Sequence, residues 1–357
     1  MNIIAFRRRA SAAVAFAAAA VTLSLTGGFA AGDEFYKGKT ITIIVSAGPG
    51  GGADRTARAL ANHWTNHIPG KPNIIVKNMP GAGHLRATNF LYSQAPKDGT
   101  TLGALNSAFV MHQIFRGKGV EYDAAKFHWI GSSDSSNGNV YVWHTTGVRT
   151  LEDATKKEVL MGGTGAGSDS VRYPAMLNNS LGTRFRVITG YKGTGEMDLA
   201  VERGEVQGIA GGTLSTLVAN HTDWIKEKKI NILLQVGAEP EPGFESVPML
   251  TSFAKDRETR EVFQLFSHSI ALGRPYQAPP GVSAERVATL RASFDASMKD
   301  PAFVADMKKQ RLKVRPTSGE KLAEFVSGML KVDSAVLARV ETMLQTKGTV
   351  TGKAKKK

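Results

Sequence analysis

The sequence predicts an α/β protein made of two lobes, and three observations carry that prediction. The chain has 357 residues, which suits two globular units of ordinary size better than one. Its apolar fraction of 42% is enough for real hydrophobic cores, so a disordered or fibrous chain is excluded. Short β-branched runs alternate with helix-compatible segments, which is typical of βαβ units whose parallel sheets are covered by helices.

The first thirty residues have the parts of a secretory signal peptide. Three arginines, Arg7 to Arg9, form a basic start without an acid, and residues 10–25 are small or apolar. The segment Gly28-Phe29-Ala30 then offers a small-x-small cleavage site. The apolar stretch is too short and too weakly apolar to span a bilayer, which takes about 20 apolar residues. We therefore expect residues 1–30 to be removed on export.

The positive charge of the chain is concentrated at its two ends. The formal net charge is +14, and loss of the three N-terminal arginines lowers it to +11. Residues 347–357 hold five lysines and no acid, which leaves +6 for the body. A lysine-rich end without interleaved aromatic residues is typical of a solvated tail rather than of a lipid or nucleic-acid site. We predict a disordered tail from Lys347 and no nucleic-acid partner.

The pattern predicts the strands and helices one after another. The first strand covers residues 40–45, ends at a glycine-rich loop and leads into a helix that begins near Ala53. Further strands are predicted at residues 73–76, 101–105, 127–130, 140–143, 158–161, 185–189, 206–210, 230–236 and 269–272. Helices are predicted at residues 84–94, 168–181, 196–203, 283–299 and 318–344, the last with apolar residues at helix-face intervals.

Two glycine loops carry the predicted chemistry. Residues 48–54 read Gly-Pro-Gly-Gly-Gly-Ala-Asp and residues 162–168 read Gly-Gly-Thr-Gly-Ala-Gly-Ser, each between a strand and a helix. Glycine lets the main chain turn tightly and approach a ligand, because no Cβ is in the way. The unpaired N–H groups and the positive dipole end of a helix start then form an anion site without a charged side chain. The pair predicts one anion cradle in each lobe, although Ser168 equally suits a plain N-cap.

Two more loops follow strands in the same way. Residues 77–83 contain Pro80-Gly81, which also suits a simple turn. In residues 190–194, Tyr191 and Lys192 face either a ligand or the lobe surface, and Thr194 is an N-cap candidate. All these loops lie at the carboxyl ends of strands, where open α/β sheets bind their ligands.

Patterns for enzymes, metals and cofactors are weak. The first loop fits a relaxed dinucleotide fingerprint, but the second strand ends in Val76-Lys77-Asn78, without the carboxylate that such a site requires. The serine-hydrolase elbow, the zinc-peptidase motif and the P-loop are absent, and the lack of cysteine excludes thiol nucleophiles. His63 and His67 lie four apart on a helix without a nearby third ligand, and Asp54 and Arg58 suit an intrahelical ion pair. We predict no catalytic residue, metal or cofactor.

At residues 46–58 the chain resembles a known family. This segment, Ser-Ala-Gly-Pro-Gly-Gly-Gly-Ala-Asp-Arg-Thr-Ala-Arg, is similar to the first-loop signature of the tripartite tricarboxylate transporter receptors, the Bug-type periplasmic binding proteins. The similarity continues in the family's order at residues 76–83, 96–102, 190–193, 204–206, 246–248 and 278–283. The departures are Ser46-Ala47 for the usual Pro-Phe, Lys77 for Glu and Gln207 for an acid. The first departure lies in the ligand loop, so it bears on the identity of the ligand.

The resemblance implies the fold of a type II periplasmic binding protein. In that fold two α/β lobes are joined by a two-strand hinge, here near residues 131–139 and 266–274, with the ligand cleft between them. Lobe 1 would comprise residues 31–135 plus 268–346, lobe 2 residues 136–267, and the tail residues 347–357. Such receptors hold carboxylates largely through main-chain amides and bridging water.

The resemblance also implies a set of ligand-binding residues. Those of lobe 1 would be Ser46, Ala47, Gly50, Gly51, Gly52, Ala53, Gly81, Ala82 and Gly83, and those of lobe 2 would be Thr164, Gly165, Ser168, Tyr191 and Gly193. Closure should accompany binding, because a ligand that contacts both lobes favours the closed state.

The expected function is that of a monomeric periplasmic receptor that delivers a small organic carboxylate to the membrane subunits of a tripartite permease. A receptor for another solute, or a sensor that feeds a signalling partner, is an alternative. An exported hydrolase or oxidoreductase is an alternative of a different class. Amide cradles recognise a carboxylate but not what is attached to it, so the sequence leaves the ligand open.

Overall fold

A computed structural model describes residues 34–353, which form two six-stranded sheets and thirteen α-helices. The strands are β1 (Thr40–Val45), β2 (Asn73–Asn78), β3 (Thr101–Ala104), β4 (His128–Ser132), β5 (Gly138–Trp143), β6 (Val159–Gly163), β7 (Phe185–Thr189), β8 (Gly208–Thr213), β9 (Ile230–Val236), β10 (Pro275–Ala278), β11 (Thr317–Ser318) and β12 (Val350–Lys353). The helices are α1 (Gly52–Trp64), α2 (Leu85–Ser93), α3 (Ala108–Ile114), α4 (Asp153–Lys156), α5 (Asp169–Leu181), α6 (Thr194–Glu202), α7 (Leu214–Asn220), α8 (Thr222–Lys226), α9 (Arg257–Ser269), α10 (Ala284–Lys299), α11 (Pro301–Lys309), α12 (Gly319–Met329) and α13 (Ser334–Met343).

The first sheet, which defines lobe 1, has the strand order β11-β4-β10-β3-β1-β2. Strand β1 pairs in parallel with β2 and β3, whereas β10 is antiparallel to both β3 and β4. Helices α1, α10 and α11 pack together on one face, where the rings of Trp64, Tyr276 and Phe294 lie 5.5–6.0 Å apart. Helices α2 and α12 pack against β3 and β4. The last three residues of β1, Ile43, Ile44 and Val45, are all buried, which is the pattern of a strand covered on both faces.

The second sheet, which defines lobe 2, repeats this plan with the order β12-β7-β6-β8-β5-β9. Strand β6 is parallel to β7 and β8, and β5 is antiparallel to β8 and β9. Buried side chains of α6, α7 and α8 pack with Tyr141 of β5 on one side of the sheet. In both lobes parallel strands lead into helices at their carboxyl ends, and these ends face the other lobe.

Two neighbouring segments cross between the lobes. Residues 133–137 lead from β4 to β5, and residues 270–274 lead back from α9 to β10. They are hydrogen-bonded to each other: the Ser133 N–H donates to the Arg274 carbonyl (3.2 Å), and the Arg274 N–H donates to the Asp134 carbonyl (2.8 Å). These crossings lie within the two segments that the sequence predicts for the hinge.

Two predicted elements are wrong. Residues 269–272 are not a strand: Ser269 ends α9, and a short 3-10 turn follows before β10 begins at Pro275. Short apolar runs are ambiguous between helix and strand, and here the amphipathic helix before the run simply continues. The long helix predicted at 318–344 is interrupted after Met329, and Asp333 caps a new helix by accepting a hydrogen bond from the Ala335 N–H (2.7 Å).

Residues 334–353 belong to lobe 2, which corrects the predicted end of lobe 1 and the predicted disordered tail. Helix α13 packs on α5 and α9 of lobe 2. Strand β12 then extends the second sheet by pairing in parallel with β7. Thr349 is buried, and its carbonyl accepts a hydrogen bond from the Val187 N–H at 2.7 Å. The lysine-rich composition concealed the β-branched run Thr349-Val350-Thr351, which suits a strand.

The predicted signal peptide, residues 1–30, lies outside the described residues. So do the last four residues of the predicted tail, 354–357. Within residues 34–353, no helix combines the length and the apolar character that crossing a membrane takes.

Candidate ligand-binding cleft

A cavity of about 130 Å³ lies between the lobes. Its wall is formed by residues that follow β1, β2, β3, β6, β7 and β8, and by residues of both crossing segments. Most lining residues are small or carry a hydroxyl group, so backbone atoms and short side chains provide much of the surface. The predicted segments 50–53 and 164–168 both contribute to this one cavity.

Lobe 1 contributes the start of α1. Gly51, Gly52 and Ala53 line the cavity, and the N-cap position is Gly51, which has no side chain to bond the first N–H groups of the helix. Behind them, the Asp54 carboxylate accepts a hydrogen bond from the Gly50 N–H (3.0 Å) and pairs with Arg58 (2.9 Å), as predicted. Burial alone would raise the pKa of Asp54, but these hydrogen bonds outweigh it and lower the pKa. The loop is thereby fixed from behind while its helix start remains open to a ligand.

Lobe 2 contributes two further open helix starts. Ser168 occupies the N-cap position of α5, but its Oγ donates to the Gly165 carbonyl (2.7 Å), so it does not cap the helix. The N-cap of α6 is Gly193, which again offers no side chain. Thr164, Ser168 and Gly193 all line the cavity. Because the N-terminus of a helix carries a partial positive charge, three such starts around one cavity favour an anion.

Arg274 adds a full positive charge to this wall. Its guanidinium donates to four hydroxyl groups: one hydrogen bond of 2.7 Å goes to Thr56 of lobe 1, and bonds of 2.8–3.2 Å go to Thr213, Ser215 and Thr216 of lobe 2. Among residues 34–353, no carboxylate lies within ion-pair distance of it. Burial lowers the pKa of Arg274, and nearby Asp134 opposes that shift. A cation with neutral partners beside a cavity is a natural place for a ligand carboxylate.

Asp169 brings an acidic side chain to the same cavity. It is the first residue of α5 and lines the wall, with 18% of its side chain exposed. Burial raises the pKa of Asp169, and the neighbouring Arg172 only partly opposes that shift. The cavity wall therefore holds an acidic side chain as well as a basic one.

His84 and Ser46 hold the loops of lobe 1 together. The His84 Nδ1 lies 2.9 Å from the Ser46 carbonyl, which fixes Nδ1 as the protonated nitrogen. Burial lowers the pKa of His84, which keeps the ring neutral near pH 7. The Ser46 Oγ accepts a hydrogen bond from the Asn106 N–H at 2.9 Å. His84 and Asn106 line the cavity, whereas Ser46 supports it from behind.

Glycines bring the two lobes into backbone contact on either side of the cavity. The Gly48 N–H donates to the Lys192 carbonyl across the cleft at 2.7 Å. On the other side Gly83 meets Gly165 and Gly167 so closely that a Cβ on Gly83 would lie 2.6 Å from the Gly167 nitrogen. We call this second contact, between residues 81–83 and 165–167, the glycine seam. The two lobes are therefore in direct backbone contact.

The predicted site residues fall into two groups. Ala47, Gly51, Gly52, Ala53, Thr164, Ser168 and Gly193 line the cavity. Ser46, Gly50, Gly81, Ala82, Gly83, Gly165 and Tyr191 are not among the lining residues of the described chain. Gly83 and Gly165 contact the opposite lobe instead, and Tyr191 packs in the core of lobe 2.

Sequence reasoning missed Arg274, Asp169 and His84. Asp169 directly follows the second glycine loop and His84 directly follows the third, so extending each loop by one residue would have found them. Arg274 has no such signal, because topology alone brings the second crossing segment to the cavity. His63 and His67, considered as metal ligands, instead contact Asp306 (3.3 Å) and Asp300 (2.9 Å).

Comparison with known proteins agrees with this architecture. No protein-family model matches the chain, and no curated protein matches its sequence. Among solved structures, the periplasmic binding protein BugD superposes with a TM-score of 0.69 at 19% identity, covering 88% of this chain and 100% of BugD. MatC from Rhodopseudomonas palustris, solved with bound malate, gives 0.64 at 19% identity over 86% of this chain and 99% of MatC. Another R. palustris protein, solved with adipate, gives 0.63 at 17% identity over 87% and 97% of the two chains.

These similarities confirm the predicted fold class. They extend over nearly the whole of each neighbour, and they include a Bug protein, the type that the loop motifs resemble. At identities below one fifth, such likeness establishes the fold rather than the ligand. The chain therefore has the two-lobe, type II fold of the periplasmic binding proteins, in the form adopted by BugD and its structural relatives.

Proposed function

We propose that this chain is a periplasmic solute-binding receptor that captures a small organic carboxylate by closure of its two lobes. The observation that carries the proposal is the cavity between the lobes, where three open helix starts and Arg274 meet. All four features stabilise negative charge at the place where a ligand would contact both lobes at once.

The neighbours solved with malate and adipate support the ligand class, because both are small carboxylates held by proteins of this fold. Ala47 suggests that the ligand of this chain differs in shape from the ligands of other family members. It lines the cavity at a position where the resembling family usually has Phe, and the smaller side chain leaves room for a differently shaped ligand.

Closure couples binding to delivery. A ligand that contacts α1 of lobe 1 and α5 or α6 of lobe 2 has a higher affinity for the closed state, and it shifts the population by that difference in affinity. We propose that the closed receptor, acting as a monomer, then docks on the membrane subunits of a tripartite permease and releases its ligand unchanged.

Isothermal titration calorimetry with residues 31–357 tests the proposal. The panel contains mono-, di- and tricarboxylates, both aliphatic and aromatic, with sugars as controls. We expect at least one carboxylate to bind with a dissociation constant of about 1 µM, near −8 kcal/mol. X-ray scattering should show a smaller radius of gyration when that ligand is added. Heats indistinguishable from dilution for every acid would refute the proposal, and turnover of the bound acid would favour an enzyme.

A further inference from the structure

The cavity wall holds one basic and one acidic side chain, which lie on different elements. Arg274 lies on the second crossing segment, next to hydroxyl groups of both lobes, whereas Asp169 begins α5 of lobe 2. One carboxylate of a ligand is matched by Arg274 and the helix starts. A second carboxylate on the same ligand would meet a like charge if it approached the Asp169 carboxylate.

The partners of Asp169 within the protein do not neutralise it fully. Its contact with the Arg172 guanidinium is 3.9 Å long, beyond hydrogen-bond distance. The Arg172 Nη1 donates instead to the Ala108 carbonyl at 2.9 Å, and Arg172 Nη2 finds no partner among the described residues. No hydrogen bond to the Asp169 carboxylate is present within residues 34–353. The pKa of Asp169 is raised because the effect of burial outweighs the attraction of the Arg172 charge.

We propose that Asp169 makes the cleft select a carboxylate that also carries an ammonium group, and that it excludes dicarboxylates. This inference rests on the proposed carboxylate receptor and names the class of its ligand. The ammonium would donate hydrogen bonds to the Asp169 carboxylate, and the ligand carboxylate would lie toward Arg274 and the helix starts. Such a preference would distinguish this chain from the neighbours solved with malate and adipate, which are dicarboxylates.

A purely structural role for Asp169 makes a different prediction. An acidic residue in the first turn stabilises a helix through the helix dipole, and Asp223 does so in the exposed first turn of α8. If that were the whole role of Asp169, its replacement would lower the melting temperature without changing the order of ligand affinities.

The experiment compares matched ligands by calorimetry. The probes are 4-aminobutyrate against glutarate, and β-alanine against succinate, each measured with the wild-type chain, Asp169→Asn and the control Asp223→Asn. We expect the amino acid of at least one pair to bind the wild type at least about tenfold more tightly than its dicarboxylate. In Asp169→Asn that preference should be lost or reversed, while Asp223→Asn keeps it.

The outcomes separate this inference from the proposed function. If dicarboxylates bind the wild type as tightly as the amino acids, or if Asp169→Asn keeps the wild-type preference, the inference is overturned and the carboxylate receptor stands. If no acid of either kind binds, both are overturned. If Asp169→Asn fails to fold, the wild-type ranking of the two pairs decides.

Discussion

At the scale of single residues, we expect Arg274 to contribute most to carboxylate affinity. It supplies the positive charge of the cavity wall, and its hydrogen bonds reach hydroxyl groups of both lobes. We expect Arg274→Met to weaken binding of the best carboxylate by about 1.5–3 kcal/mol, which is the usual worth of a hydrogen bond to a charged group. Calorimetry measures this loss. Arg257→Met, at a side chain that is 91% exposed, is the matched control and should keep wild-type affinity.

Glu241 of lobe 2 is a buried acid that binds the cationic segment that precedes β11 in lobe 1. It accepts hydrogen bonds from the Lys313 Nζ (2.9 Å) and the Asn137 N–H (3.0 Å), and Arg315 lies 3.2 Å away. Burial would raise the pKa of Glu241, but the hydrogen bonds from Lys313 and Asn137 and the charge of Arg315 lower it below its ordinary 4.5. A lowered pKa contributes stability above the pKa of the unfolded chain, and this contribution is lost as the pH falls through the folded-state pKa.

The Glu241→Gln variant should therefore lose stability in a pH-dependent way. At pH 7 we expect a loss of about 1.5 kcal/mol in the free energy of unfolding, since a buried carboxylate loses its charge while its cationic partners are 38–42% exposed. As the pH falls below 4.5 and through the lowered folded-state pKa, the difference from the wild type should shrink, because the wild-type carboxyl becomes protonated. Urea unfolding at pH 7 and at a series of acid pH values measures this difference. A difference that stays the same across the whole series would contradict the role of the charge.

At the scale of elements, the glycine seam should control closure. Gly167 has an ordinary backbone conformation, yet a Cβ there would lie 2.7 Å from the Gly83 carbonyl oxygen of the opposite lobe. Gly167→Ala should therefore penalise the closed state by about 1–3 kcal/mol and weaken ligand binding roughly tenfold. The thermal unfolding of the ligand-free protein should change little, because the open state has no clash. Gly328→Ala on α12, with open space around it, is the control and should bind normally.

Strand β12 is the second element whose role can be tested. The Asn178 Nδ2 donates to the Thr349 Oγ1 at 3.1 Å, and the Val187 N–H donates to the Thr349 carbonyl, so this end of the chain is tied to lobe 2. Truncation after Lys347 should cost about 1 kcal/mol for each lost hydrogen bond and lower the melting temperature by several degrees. Truncation after Lys353 keeps β12 and should leave the melting temperature unchanged. Equal melting temperatures for the two truncations would refute a stabilising strand.

For the whole molecule, local sequence patterns predict individual strands, helices and loops. They do not predict which distant segments of the chain come together. The run Thr40–Val45 and its glycine loop are visible in one stretch of sequence, and they form β1 and the open start of α1. Arg274 joins the same cavity only because the chain returns from lobe 2 to lobe 1 through residues 270–274, which no local pattern records. The tail was predicted wrongly for a related reason: the free energy of β12 comes from pairing with β7, about 160 residues earlier, and not from its own lysine-rich composition.

The hinge gives the prediction that concerns the molecule as a whole. Gly273 has a φ of +59°, and a Cβ there would lie 2.1 Å from the Asp134 carbonyl oxygen of the other crossing segment. That carbonyl accepts the Arg274 N–H, so a shift of the backbone would break the bond that joins the two crossings and would also displace the Arg274 side chain. We expect Gly273→Ala to lower the free energy of unfolding by more than about 2 kcal/mol and to weaken carboxylate binding as well.

Gly243→Ala is the matched control, since its φ is +88° and no atom lies within 4 Å of the added Cβ. Gly243→Ala should lower the free energy of unfolding by about 1 kcal/mol, because of the strain of the left-handed backbone, and should bind the carboxylate with wild-type affinity. If both variants lost the same stability and kept the same affinity, the close contact at Gly273 would not be what aligns the lobes.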